Sequence, residues 1–170
     1  MKKMLKLLSV LFLITISFIG CSNTDKNDAS KVAEQFVRNL YTVDTKQLAE
    51  YNTFRNSSSA ADRGQTLQLL LNDFKPLMTD EWYRKFMANG EYTAIVNRFS
   101  SRNDYTMQIV QPVLTQRFYD NKENKIGYNY EAKVKIISNK DKKEQTDVVE
   151  GYVGLIKENG QWKIYADELY

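Results

Sequence analysis

The sequence predicts an α+β domain in which N-terminal helices pack on a curved antiparallel sheet of three to four strands. In the first half of the chain, apolar residues recur every three or four residues, which indicates helices. In the second half, apolar and polar residues alternate between short polar turns, which is typical of strands joined as hairpins. Helices followed by such a run of strands define the α+β class.

The first helix is predicted from a stripe of apolar residues, and the next two are predicted from residues that can cap a helix N-terminus. The stripe predicts a helix from residue 29 and consists of Ala29, Val32, Ala33, Phe36, Val37 and Leu40. Asp44 and Gln47 have the spacing of a capping box, so a short helix through Tyr51 should follow. A third helix opens at Ser59 or Ala60, and Pro76 bends or ends it.

A fourth helix covers residues 80–89, with Thr79 as its N-cap and Gly90 as its C-terminal stop. Residues 91–99 continue at helical spacing, although the same residues also suit a strand. Both assignments remain open for that segment.

The strands occupy the rest of the chain. Residues 105–119 are predicted to form one strand, with Pro112 at a bulge or an edge position. Residues 125–137 alternate strictly, as in a half-buried strand, and residues 147–158 are apolar on both faces, as in a central strand. A tight turn at residues 158–160 leads into the last strand.

The N-terminus has the order of an export signal: Lys2, Lys3 and Lys6, then an apolar run over residues 7–19, then the small residue Gly20. The alternative is a membrane-spanning helix. Thirteen helical residues reach only about 20 Å, whereas a bilayer core of about 30 Å needs about 20 apolar residues. A cleaved signal is therefore favoured.

The four residues Phe18, Ile19, Gly20 and Cys21 resemble the lipobox of bacterial lipoproteins, although Phe18 stands where leucine is usual. The resemblance implies cleavage after Gly20 and a diacylglyceryl group on Cys21. Residues 1–20 are then the signal peptide, and residues 21–28 are the lipidated cysteine and a flexible tether. Two acyl chains anchor a protein stably, so the expected location is the extracytoplasmic face of the cell membrane.

The composition excludes several classes of function. The chain has 24 Lys+Arg and 21 Asp+Glu, and without Lys2, Lys3 and Lys6 the balance is 21 against 21, which does not favour a nucleic-acid partner. Cys21 is the only cysteine, so no disulfide forms within the chain, and no histidine is present. Serine–histidine and cysteine–histidine centres and imidazole or thiolate metal sites are therefore excluded.

The order of helices and strands, with the ending "GLIKENGQWKIYADEL", resembles the nuclear transport factor 2-like superfamily over residues 29–170. Cystatin-like domains are the nearest alternative. The resemblance implies a cone-shaped domain in which Trp162 belongs to the core. It also implies a docking module of the envelope, because membrane-tethered bacterial members include assembly subunits of conjugative machines.

Few acidic residues are candidates for chemistry. Asp141, Glu144 and Asp147 lie among lysines and are expected to form a solvated turn, so no metal and no cofactor is expected. Isomerases of the resembling fold use a buried carboxylate and a tyrosine hydroxyl. Asp104, beside Tyr105, is the sequence candidate for that carboxylate, and Tyr128 and Tyr130 on one strand face are the candidate hydroxyls. A position of Asp104 in water at the entrance to a strand is nevertheless expected. The chain is therefore predicted not to be an enzyme.

Aromatic residues are the more informative candidates, because tyrosine and tryptophan are enriched at interfaces and in ligand pockets. The candidate pocket or docking residues are Trp82, Tyr83, Tyr128, Tyr130, Tyr152 and Tyr165. Tyr152 is the best single candidate to face a partner. The expected function is a lipid-anchored, non-catalytic module that docks an envelope or conjugative-transfer protein. The alternatives are a binder of a small apolar or peptide ligand in the cone and an isomerase-like enzyme.

Overall fold

The computed structural model describes residues 21–99 and 104–170. Its first half consists of α-helices, with one 3₁₀ turn at Lys75–Leu77 between the third and the fourth. The described helices are α1 (Cys21–Leu40), α2 (Thr45–Asn56), α3 (Ala60–Leu70), α4 (Asp80–Asn89) and α5 (Glu91–Phe99).

Three helices begin at the caps that the sequence predicts. The Asp44 carboxylate accepts from the Gln47 amide at 2.7 Å, and the Gln47 side chain accepts from the Asp44 amide at 2.9 Å, which completes the capping box. Ser59 caps α3 and Thr79 caps α4. Gly90 ends α4 in the left-handed conformation, with φ of 67°.

The structure also refines three helical assignments. Residues 91–99, which suit either a helix or a strand, form the helix α5. α3 ends at Leu70, several residues before Pro76, and Pro76 lies in the 3₁₀ turn. α1 already includes residues 22–28, so the prediction of a flexible tether over these residues is wrong.

All described strands belong to one antiparallel sheet. They are β1 (Tyr105–Ile109), β2 (Val113–Asp120), β3 (Lys125–Ser138), β4 (Glu144–Glu158) and β5 (Gln161–Leu169). β1 and β2 both pair with β3, one at each end, and β3, β4 and β5 follow as neighbours. The single strand predicted over residues 105–119 is thus two edge strands, β1 and β2, that lie along the same side of β3. The break falls around Pro112, because proline has no N–H to donate to the sheet.

The fold class is confirmed: helices pack with a curled antiparallel sheet in a cone-like α+β arrangement. The face of the sheet that lies against the helices is called here the inner face, and the opposite one the outer face. The core between helices and sheet is rich in aromatic rings, with centroids of Phe74 and Phe86 5.1 Å apart and of Phe74 and Tyr92 5.2 Å apart. Such pairs contribute about 0.5–1.5 kcal/mol each beyond area burial.

Candidate functional site

A β-bulge in β5 decides which side chains of that strand point inward. Ile164 pairs with Leu155 and Ala166 pairs with Gly154, which leaves Tyr165 as an extra residue. Without the bulge, Asp167 would face outward. The additional residue instead places Asp167 opposite Val153, on the inner face.

Asp167 is therefore a buried carboxylate with an incomplete set of hydrogen bonds. Asp167 is only 9% exposed. Its Oδ1 accepts a hydrogen bond from the indole N–H of Trp82 at 2.5 Å. Among the described residues, Oδ2 has no hydrogen-bond donor. Burial, followed by the charge of Glu91, raises the pKa of the carboxyl to about 7, and the Trp82 hydrogen bond opposes the shift.

Two tyrosine hydroxyls meet nearby in the interior. The hydroxyl oxygens of Tyr41, the residue after α1, and Tyr130, on the inner face of β3, are 3.2 Å apart. Burial raises the pKa of both hydroxyls, and the charge of Asp167 adds to the effect at each. Sequence reasoning named Tyr130 as a candidate hydroxyl but missed Tyr41 and Asp167, because the acid reaches the interior only through the bulge.

Tyr128, also on the inner face, serves a different purpose. Its hydroxyl donates to the backbone carbonyl of Lys26 in α1 at 3.1 Å. Burial raises the pKa of this hydroxyl to about 12. Tyr128 therefore ties the start of α1 to the sheet.

Tyr152 and Tyr165 lie on the outer face, together with Phe118. Tyr165 and Phe118 are half-buried, but Tyr152 is only 8% exposed, so it does not present a free ring to a partner as the sequence predicted. Glycines make room for these rings: a Cβ at Gly127 would lie 2.4 Å from the Phe118 ring and 2.8 Å from the Tyr152 ring. A Cβ at Gly154 would lie 2.8 Å from the Tyr152 hydroxyl and 3.1 Å from the Tyr165 ring. The three rings thus pack directly against the backbone at Gly127 and Gly154. The set of Phe118, Tyr152 and Tyr165 is called here the outer aromatic cluster.

Two cations lie over the outer aromatic cluster. The Arg117 guanidinium lies 5.2 Å from the centroid of Tyr152, and the Lys125 ammonium lies 5.6 Å from that of Tyr165. Burial, followed by the neighbouring Tyr165, raises the pKa of Tyr152 to about 12. The arrangement is aromatic at its centre and charged at its rim.

A groove of about 630 Å³ continues from Tyr165 toward α4 and brings Trp82 beside it. Its other lining residues are Thr79, Asp80, Glu81, Arg84, Lys85, Lys125, Ile156 and Glu158. Tyr83 faces a separate groove of about 680 Å³ with Asn72, Lys75 and Met87. The structure thus divides the six aromatic candidates among the interior, the outer face and two grooves instead of assembling one wall.

The acidic sequence candidates lie in other places. Asp104 is exposed just before β1, and Tyr105 pairs with Ser138 at the end of the sheet remote from Tyr128 and Tyr130. Asp104 is therefore not a buried carboxylate, and the expectation that it lies in water at the entrance to a strand is confirmed. Asp141 forms an ion pair with Lys143 at 3.1 Å.

The membrane-related predictions concern the start of the chain. The signal peptide and its cleavage residue Gly20 lie outside the described residues, and Cys21 is the first residue of α1. Among the described helices, none has both the length and the hydrophobicity to cross a bilayer. Within residues 21–99 and 104–170, no cluster of three or more acidic or cysteine side chains is placed to hold a metal ion.

No family model and no curated protein matches the chain. Three solved structures are similar to it over most of their length. The TraH protein of the Gram-positive conjugative plasmid pIP501 has 14% identity and a TM-score of 0.44, over 85% of this chain and 92% of that one. The intermembrane space region of the chloroplast protein ARC6 has 9% identity and a TM-score of 0.36, over 82% and 94%.

The third structure is that of a protein designated a polyketide cyclase, from Xanthomonas campestris pv. campestris. It has 12% identity and a TM-score of 0.33, over 86% of this chain and 91% of that one. Because identities and TM-scores are this low, none of the three proteins lends its activity or its partners to this chain.

Proposed function

We propose that this protein is a lipid-anchored, non-catalytic interaction module on the extracytoplasmic face of the membrane, where it docks an envelope protein. The observation that carries the proposal is the outer aromatic cluster with its two cations. Tyrosine and arginine are enriched among residues that dominate binding energy at protein interfaces. Neighbouring outer-face residues Asn129, Glu131 and Glu150 are exposed and supply a polar rim.

The packing of the interior also favours docking over catalysis. Tyr41 and Tyr130 bond to each other, and Tyr128 is engaged with the backbone of α1. The aromatic rings with surface left for a partner are the half-buried Phe118 and Tyr165 of the outer cluster and Trp82 in the adjoining groove, whereas Tyr152 is buried beneath them. A partner from a conjugative-transfer machine is the finer version of the proposal, and its support is the sequence resemblance.

The docking surface is tested by photo-crosslinking in intact cells. A photoreactive residue in place of Arg117 is expected to give one discrete adduct with an envelope protein, because position 117 borders the cluster. Tyr165→Ala in that background is expected to reduce the adduct at least about tenfold, the loss typical of a binding hot spot. A photoreactive residue in place of Lys133, exposed on the outer face beyond the cluster, is the matched control. Equal adducts at both positions would contradict the proposal.

The anchor is tested by mass spectrometry of the protein purified from membranes. The N-terminal peptide is expected to begin at Cys21 and to carry a diacylglyceryl group, whose two chains provide stable attachment. Cys21→Ala is expected to lose the acyl mass entirely. An intact Met1 together with an unmodified Cys21 thiol in the wild-type protein would overturn the anchor.

A ligand binder or isomerase-like enzyme is the second candidate, favoured by one observation, the buried Asp167 close to the Tyr41–Tyr130 pair. The two candidates separate on Asp167→Asn. An interaction module keeps its crosslink at position 117 in this variant. An isomerase-like enzyme depends on the carboxylate as its base, so its activity would be lost.

A further inference from the structure

The first turns of α1 are built into the sheet. The Asp25 carboxylate accepts from the Lys157 ammonium at 2.6 Å, with both side chains partly buried. The Lys26 carbonyl accepts from Tyr128, and the Lys26 ammonium lies 4.6 Å from the centroid of Tyr119. These contacts join α1 to β2, β3 and β4. We call them the α1 clamp.

Almost no chain separates the α1 clamp from Cys21. Cys21 and Asp25 belong to the same helix, and four helical residues span only about 6 Å. An extended, flexible segment of seven residues would reach about 24 Å. A lipid on Cys21 therefore holds one particular end of the domain beside the bilayer.

That end carries the turn between β2 and β3, and the other end of the sheet lies far away. The Lys157 amide bonds to the Asn124 carbonyl at 2.9 Å, which places this turn beside the clamp. β3 runs from there for 14 residues to Ser138, a length of about 45 Å at 3.3 Å per residue. The turn at residues 139–143 thus lies at the opposite end.

We propose that the α1 clamp fixes the orientation of the domain on the membrane: residues 121–124 face the lipid headgroups, and residues 139–143 point away from them. The inference rests on the proposed lipid anchor. It deepens that proposal, because a fixed orientation also sets the height of the outer aromatic cluster. Tyr152 pairs with Asn129, five residues from Asn124 and hence about 17 Å along the sheet. The docked partner must therefore present its contact segment close to the bilayer.

The charges at the clamped end indicate that geometry, not attraction to anionic lipid, sets the orientation. Residues 25–26, 120–125 and 157–158 carry equal numbers of opposite charges, namely Lys26, Lys122, Lys125 and Lys157 against Asp25, Asp120, Glu123 and Glu158. A surface with no net charge is not drawn to headgroups electrostatically. The orientation is therefore expected to persist in neutral lipid and at high salt.

The test uses the full-length acylated protein in phosphatidylcholine vesicles that contain nickel-chelating headgroups. Lys122→Cys and Lys140→Cys are two exposed positions at opposite ends. Cys21 is the only native cysteine and is consumed by acylation, so each new thiol takes one nitroxide. Relaxation of the nitroxide by headgroup nickel is expected to be at least about tenfold stronger at position 122, given the separation of about 45 Å. Added salt is expected to leave the ratio unchanged.

The clamp itself is tested by combining Lys157→Met with Tyr128→Phe, which removes the ion pair and the donor to the Lys26 carbonyl. The ratio of relaxation at positions 122 and 140 is expected to fall by at least about threefold as the domain gains orientational freedom. Lys135→Met, which removes the exposed pair with Glu144 at 3.3 Å, is the matched control and should leave the ratio unchanged.

The outcomes separate the inference from the proposed anchor. An unacylated Cys21 in protein isolated from membranes overturns the anchor and, with it, the inference. Equal relaxation at positions 122 and 140 in an acylated, vesicle-bound protein overturns the inference alone. So does a ratio that the combined clamp variant leaves unchanged.

Discussion

Replacing Gly151 by alanine is expected to destabilise the fold by about 3 kcal/mol or more. An added Cβ would lie 2.4 Å from the Glu168 carbonyl oxygen and 2.4 Å from the Tyr130 hydroxyl. One of these obstacles is backbone in the neighbouring strand, so the sheet itself would have to move. The other is half of the buried Tyr41–Tyr130 hydrogen bond.

Urea unfolding followed by circular dichroism measures this loss, with Gly64→Ala as the matched control. Gly64 is exposed in α3, and a Cβ there would meet nothing within 4 Å. Because alanine is the better helix former, the control is expected to gain about 0.5–1 kcal/mol. If the free energy of unfolding of Gly151→Ala lies within about 1 kcal/mol of wild type, the sheet can accommodate a Cβ at this position and the prediction is wrong.

Asp167→Asn is expected to stabilise the protein above pH 7, and by less as the pH falls. In the folded protein, the pKa of Asp167 is raised from 3.8 to about 7. The folded state then holds a proton that the unfolded state releases, so wild-type stability decreases as the pH rises from about 4 to about 7. Asparagine cannot ionise, and its carbonyl oxygen can still accept from Trp82.

The expected gain above pH 7 is on the order of 2–4 kcal/mol, at about 1.4 kcal/mol per unit of pKa. Thermal or urea unfolding at pH 4, 6 and 8 measures it. Asp141→Asn serves as the control: this carboxylate is exposed, and hydrogen bonds from Ser138 and Lys143 lower its pKa, so no gain at high pH is expected. An Asp167→Asn variant that is less stable than wild type at pH 8 would refute the argument.

The order of elements was predictable because the chain marks its helix ends with local chemistry. Asp44, Ser59, Thr79 and Gly90 act through residues within one turn of themselves, so sequence spacing suffices to identify them. The break at Pro112 was predictable for the same reason. The helical state of residues 22–28 was not predictable, because the α1 clamp uses a backbone carbonyl and an ion pair, and these contacts do not require an apolar stripe in the sequence.

The candidate site was less predictable, because it depends on register between strands. Tyr128 and Tyr130 share a face by simple alternation. That Tyr152 lies on the opposite face follows only from its pairing with Asn129, which neither strand specifies alone. Asp167 reaches the interior through the bulge, and alternation counted along "QWKIYADEL" assigns it to the wrong side.

Because of that bulge, one residue of β5 can be removed without turning Asp167 out of the interior. Removing Tyr165 would leave Ile164, Ala166 and Asp167 in an unbroken ladder, with the carboxylate still turned toward Trp82. Deleting this one residue would then remove an aromatic ring from the outer face, while the same side chains would remain in the interior. A variant that lacks Tyr165 is thus expected to lose the ring beneath the Lys125 ammonium while Asp167 stays buried.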